Sequence, residues 1–131
     1  MKPPTKWTLA LALATLSLAA MAAPALGRTT TFRTPSGNIG CLYSSTAGPG
    51  AFLRCDVRNT GDFAFVLRRR GAGRKVRATD TVFDPAARVL RYGAVRDFGP
   101  FRCRSRRAGL GCRTRANGHG FFLSRQRQKT F

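Results

Sequence analysis

The sequence predicts an all-β protein, a small disulfide-stapled sandwich or barrel of about eight short strands with at most one short helix. From residue 28 onward no stretch longer than eleven residues lacks a glycine or proline, which excludes long helices and suits short strands between turns. Runs rich in Phe, Val and Thr lie between those turn signals. Four cysteines in a short chain with an export-type leader read as a disulfide framework.

The leader occupies residues 1–27. Lys2 and Lys6 form a positive n-region, the 14-residue run from Trp7 to Ala20 is apolar, and the small-residue tail MAAPALG follows. Cleavage is expected after Ala22, Ala25 or Gly27, with the last two favoured because RTTTFRT then opens a polar, β-branched segment. The alternative is an uncleaved anchor, but the apolar run falls short of the roughly 20 residues a spanning helix needs. No Cys lies near the cleavage region, so lipid attachment is not expected. The expected product is a secreted, extracytoplasmic domain over residues 28–131, with no transmembrane segment after processing.

Strands are expected over residues 29–33, 38–44, 51–57, 62–69, 75–83, 98–104, 110–115 and 120–125. Turn signals separate them at PSGN, TAGPG, NTG, GAGR and ANGHG. Between the fifth and sixth strands, Asp84-Pro85 leads into AARVLRY and Gly93. Here a capping Asp, a proline at the first helical position and a glycine stop predict one or two helical turns. The core has to come from phenylalanine, since all ten lie beyond residue 27. Phe63, Phe65 and Leu67 alternate with Ala64 and Val66, as in a strand buried on both faces. Phe121, Phe122 and Leu123 are expected to close the core, and an exposed aromatic platform for stacking bases is the functional alternative for this cluster. Residues Gln126 to Phe131 are expected to fray unless Phe131 docks.

Three pairings of Cys41, Cys55, Cys103 and Cys112 are open. Cys41–Cys55 and Cys103–Cys112 are preferred, because each joins neighbouring strand-like segments across a turn-rich loop. A metal site is a poor rival: there is no C-x-x-C, and His119 is the only histidine. No metal or other cofactor is expected.

Removing Lys2 and Lys6 from the 24 basic residues leaves 22 against five Asp and no Glu, a net charge of +17 over residues 28–131. A charge of that size attracts polyanions at long range and opposes the compact state. After Asp97 nine basic residues follow without an acid. If 101–105 and 110–115 pair as a hairpin tied by Cys103–Cys112, alternation places Arg102, Arg104, Arg113 and Arg115 on the face opposite the disulfide, with Arg106 and Arg107 at the turn. Such a ladder of like charge disfavours the hairpin unless something anionic binds it. The bland alternative is a solvated face in a chain that is basic throughout.

Catalysis is not expected. A nuclease needs a general base and a general acid, and His119 with Asp80 or Asp97 would have to supply both. His119 lies between Gly118 and Gly120, where its ring is expected to bond locally in a structural role. Arg125 is likewise expected to be structural, pairing with Asp80 or Asp56 to set the register of the last strand.

The blocks FRTPSGNIGCLYS (32–44), LRCDV (53–57), DT (80–81), LRYG (90–93) and GLGCRTRANGHGFFLSR (109–125) resemble a family of small secreted bacterial proteins, mainly actinobacterial, of uncharacterised function. The resemblance implies secretion, disulfides and a compact β-rich domain, and supplies no reaction or ligand. Many relatives carry a further cysteine pair in the middle; residues 70–79 have none, so a looser central loop is expected. Together these features point to a non-enzymatic, cationic binding module. Its partner would be an anionic envelope polymer, an anionic surface or nucleic acid bound without sequence selectivity. The second reading is an effector or inhibitor that binds an acidic secreted protein, presenting loops such as 46–50 and 71–74.

Overall fold

A computed structural model of the chain describes residues 1–4, 19–20, 27–45 and 50–131. Most of the expected leader, including the cleavage positions Ala22 and Ala25, and residues 46–49 of the loop that ends at Gly50 lie outside the described residues.

Among the described residues there are eleven strands and no helix. They are β1 (Thr29–Arg33), β2 (Ile39–Ser44), β3 (Phe52–Val57), β4 (Phe63–Arg68), β5 (Arg74–Arg77), β6 (Arg88–Val89), β7 (Val95–Phe98), β8 (Phe101–Arg106), β9 (Gly109–Thr114), β10 (Gly120–Leu123) and β11 (Gln128–Thr130). Two sheets result, in the orders β5-β4-β3-β2-β1-β6 and β11-β10-β9-β8-β7. Each is an antiparallel meander apart from β6, which pairs parallel with the edge of β1. The architecture is an open sandwich, not a closed barrel.

The two inner faces meet over rings and cystines. Phe32 of β1 stacks on Phe98 of β7 at 4.3 Å between centroids, and Phe65 of β4 packs against Phe121 of β10 at 6.5 Å. Leu53, Leu67, Leu110 and Leu123 fill the space between them and are fully buried. Both preferred disulfides are present, Cys41–Cys55 and Cys103–Cys112. In each, the two cysteines are directly opposite partners on neighbouring strands. Only half of the phenylalanines enter this core: Phe32, Phe65, Phe98, Phe101 and Phe121 are buried. Phe63, expected inside, is exposed beneath the Lys75 ammonium. Phe122 turns outward, because its neighbours Phe121 and Leu123 take the inner face.

Three expected elements are corrected. The strand over 98–104 breaks at Gly99-Pro100, which forms a two-residue turn joining Phe98 to Phe101 and so creates an extra hairpin, β7–β8. Gly99 has φ +54, the positive value that a tight hairpin needs at its first loop position. The strand over 75–83 ends at Arg77, and the chain then lies over the outer face of the first sheet. Arg54, on that face, donates to the Asp80 carbonyl and carboxylate, and Val82 N–H donates to Asp56 Oδ2. Phe83 covers Gly40, where a Cβ would strike its ring. Finally, Asp84 does cap a turn, accepting from Ala86 N–H, but no helix follows. The chain is captured by the exposed edge of β1 instead, with Leu90 N–H donating to Arg33 O at 2.8 Å.

The Arg54 clamp is the main buried electrostatic feature of the first sheet. Its guanidinium forks onto Asp56, and the two side chains are only 15% and 8% exposed. Burial alone would lower the pKa of Arg54, but hydrogen bonds and Coulomb attraction from Asp56 and Asp80 outweigh it and hold the pKa above its ordinary value. Arg54→Met is expected to lower the unfolding free energy by roughly 2–3 kcal/mol in urea titration, since buried Asp56 loses its partner. Asp80→Asn is expected to cost under about 1 kcal/mol, because its side chain is 76% exposed. Equal costs for the two variants would show that the clamp is not anchored on Asp56.

Candidate functional site

The second sheet turns a bare, cationic face to solvent. Along β8 the burial alternates strictly, with Phe101, Cys103 and Ser105 inside and Arg102, Arg104 and Arg106 outside. Register extends this across the sheet. Asp97, Arg102, Arg113 and Gly120 form one outward cross-strand row, and Val95, Arg104, Gly111, Phe122 and Lys129 form the next. The expected alternation therefore places Arg102, Arg104 and Arg113 together. Arg115, one residue beyond β9, joins them through its partners, the Gly99 carbonyl at 2.8 Å and Asp97 at 3.8 Å.

Asp97 changes the electrostatics of this face. Its carboxylate accepts from Arg102 Nε at 2.7 Å and Nη2 at 3.1 Å, a bidentate fork. That hydrogen bonding holds Asp97 below the usual carboxylate range against a smaller opposing effect of desolvation, and the charges of Arg102 and Arg115 add to it. The same pair raises the pKa of Arg102. Two of the four outward arginines are thus partly neutralised and oriented. Arg104, Arg106 and Arg113 make none of the side-chain hydrogen bonds or ion pairs among the described residues. Asp97, the last acid of the chain, lies outside the hairpin expected from the sequence. Its signal was the Gly99-Pro100 turn, which folds VRDF back beside FRCR.

These side chains border a groove of about 330 Å³. Gly111 lies in its floor, Arg102, Arg104 and Arg113 along it, and Phe122 and Phe131 beside them. Phe131 does not fray. It exchanges backbone hydrogen bonds with Gly120 in both directions, and its carbonyl also accepts from Gly73 N–H. Gly73 is required there, since a Cβ would strike the Gly120 carbonyl.

Arg107 departs from the main groove. Its guanidinium lies over the Tyr92 ring at 5.0 Å, beside a polar depression of about 200 Å³ shared with Arg106, Arg125, Ser36, Asn38 and Ser124. The expected pairing of Arg125 with Asp56 or Asp80 is corrected: Arg54 holds both carboxylates, and Arg125 is exposed at this depression. His119 is exposed, and its local bonds run through the backbone. Its N–H donates to Asn117 Oδ1, and its carbonyl accepts from Thr114 N–H. Among the described residues no hydrogen bond or ion pair joins His119 to Asp80 or Asp97. Nor does any group of three or more His, Cys, Asp or Glu side chains there form a metal-ligand set.

A family model described as a family of unknown function, DUF6636, matches residues 53–131, and the chain belongs to that family. The match begins inside β3 and takes in every strand of the cationic sheet. No curated protein and no solved structure matches the chain.

Because the folded-state pKa of Asp97 is depressed, the Asp97–Arg102 fork contributes above the ordinary carboxylate range and is lost as pH falls through the lowered value. Between pH 7 and pH 5 the fork is expected to persist. In a carboxyl-carbon NMR titration, Arg102→Ala is expected to raise the Asp97 midpoint toward the usual carboxylate value. An unmoved midpoint would remove Arg102 as the cause.

Proposed function

We propose that the protein is an exported, non-enzymatic binding module that contacts anionic polymers through the outer face of its second sheet. The supporting observation is the set Arg104, Arg106 and Arg113, which stand on one exposed face without an acidic partner among the described residues. Asp97 meanwhile holds Arg102 in a fixed fork orientation and draws Arg115 toward the same face. A held guanidinium loses less side-chain entropy when a phosphate or carboxylate arrives. Arg102 and Arg113 also face each other directly across β8 and β9. Like charges placed so are unfavourable; Asp97 offsets this on the Arg102 side, and a bound anion would offset it on the Arg113 side.

Export is supported by the n-region and apolar run of residues 1–20, together with two disulfides of the kind that persist in oxidising compartments. Among the described residues no helix is long and apolar enough to cross a membrane. Contacts from arginine forks to phosphates or carboxylates position a polymer without reading its sequence. The proposed partners are therefore defined by charge: acidic envelope polymers, anionic surfaces or nucleic acid.

The test is retention of the oxidised protein on immobilised heparin at low and high salt. Retention is expected at low salt and release as salt rises. Arg104→Ala/Arg113→Ala is expected to elute at lower salt than the parent. For nucleic acid, Arg113→Ala alone is expected to reduce the salt slope of log K by about 1. Retention that ignores salt, or a single protein partner that stays bound at high salt, would overturn the reading.

A further inference from the structure

The groove over Gly111 carries information that charge alone does not. Three glycines lie at outward positions of β9 and β10. Two have structural reasons: a Cβ at Gly120 would strike the Cys112 carbonyl, and one at Gly109 would strike the Leu123 carbonyl and the Phe122 ring. Gly111 has none. A Cβ there would meet nothing within 4 Å, and a strand interior ordinarily disfavours glycine, which adds backbone entropy to the unfolded chain and no packing to the folded one. The effect of glycine at 111 is to keep open the space between its direct cross-strand partners Arg104 and Phe122, where the Phe122 ring leans over Gly109 and borders the groove from that end.

The walls of that space are mixed in a definite way. Val95 and Phe131 are 43% and 44% exposed, and both line the groove. A ligand made only of charged groups would need the arginines and would leave these apolar surfaces wet. The combination of aromatic side chains with a cationic track is the arrangement that binds single-stranded nucleic acid, where bases stack and phosphates meet basic side chains. A volume of about 330 Å³ lies at the small end of the ~300–1,000 Å³ range of ligand sites, in keeping with one ring system and its adjoining phosphate.

We infer that this groove accepts an unpaired nucleobase over Gly111 beside Phe122, with the flanking phosphates on Arg104 and Arg113, so that the face prefers single-stranded nucleic acid to ring-free polyanions. The inference rests on the polyanion reading and adds the ring to it. Stacking is tolerant of base identity, so little sequence preference is expected.

The experiment compares oligo(dT) with an abasic deoxyribose-phosphate oligomer of the same length by fluorescence anisotropy at one salt concentration. Oligo(dT) is expected to bind about tenfold more tightly. Gly111→Leu, which the open space above the strand accommodates, is expected to bring the ratio of the two affinities close to one. Phe122→Ala is expected to do the same by removing the ring wall, and circular dichroism checks that each variant is folded. Equal affinity of the parent for both oligomers, or a ratio that survives in both variants, overturns the ring site alone. Failure of the parent to bind either oligomer at low salt overturns the polyanion reading with it.

Discussion

The second sheet is governed by the placement of Cys103 directly opposite Cys112 on neighbouring antiparallel strands. A disulfide between such partners must lie on one face, and here that face is the core. Side chains alternate along each strand, so the residues on either side of the cystine are sent outward. Those residues are Arg102 and Arg104 on β8, and Gly111 and Arg113 on β9. A slip of one residue would bury the guanidinium groups and expose the cystine, at a cost no sandwich of this size sustains. The cationic face is thus tied to the same registration that builds the core.

Four of the five aspartates show how the protein handles a large excess of positive charge. Asp56 and Asp80 are spent on Arg54, and Asp84 caps a turn and accepts from Thr31. Asp97 alone reaches the second sheet, where it engages Arg102 and Arg115. The neutralising charge is therefore concentrated at one corner of that face, and the strip through Arg104, Arg106 and Arg113 is left to solvent. Cation–π contacts spread some of the remaining charge over rings, as with Arg58 on Phe83 and Arg96 on Phe98.

The parts legible in the sequence were those set by period and pairing. Thr29–Arg33 matched its expected limits, most other strands matched within a residue or two, and both cystines joined the expected neighbours. Alternation about Cys103 and Cys112 was enough to send the arginines outward. The misses had a different origin. Residues 78–83 carry β-branched side chains suited to a strand, but the Arg54 and Asp56 side chains captured their backbone from across the sheet. The helix expected after the Asp84 turn gave way to the edge of β1 for the same reason, a tertiary partner stronger than a local preference. Phe122 is expected inside on composition, which says how many rings a core needs but not which strand face each one occupies. Gly111 was legible in principle, because its parity with Arg113 follows from the cystine. Its meaning depended on whether anything lay above it, which is a property of the packed sheet.

The two outer faces differ in how their central strands are covered. On the first sheet, the segment from Ala78 to Phe83 lies across β2 and β3, Phe83 seals Gly40, and the central arginine is consumed by two carboxylates. On the second, the outward residues of β8 and β9 meet no covering segment among the described residues, and a glycine keeps the middle of the face open. A solvated basic surface with no role would gain from larger side chains at 111, since strand positions favour residues that pack on their cross-strand neighbours. Open floor, aromatic wall and guanidinium groups without acidic partners therefore coincide on the outer face of the second sheet.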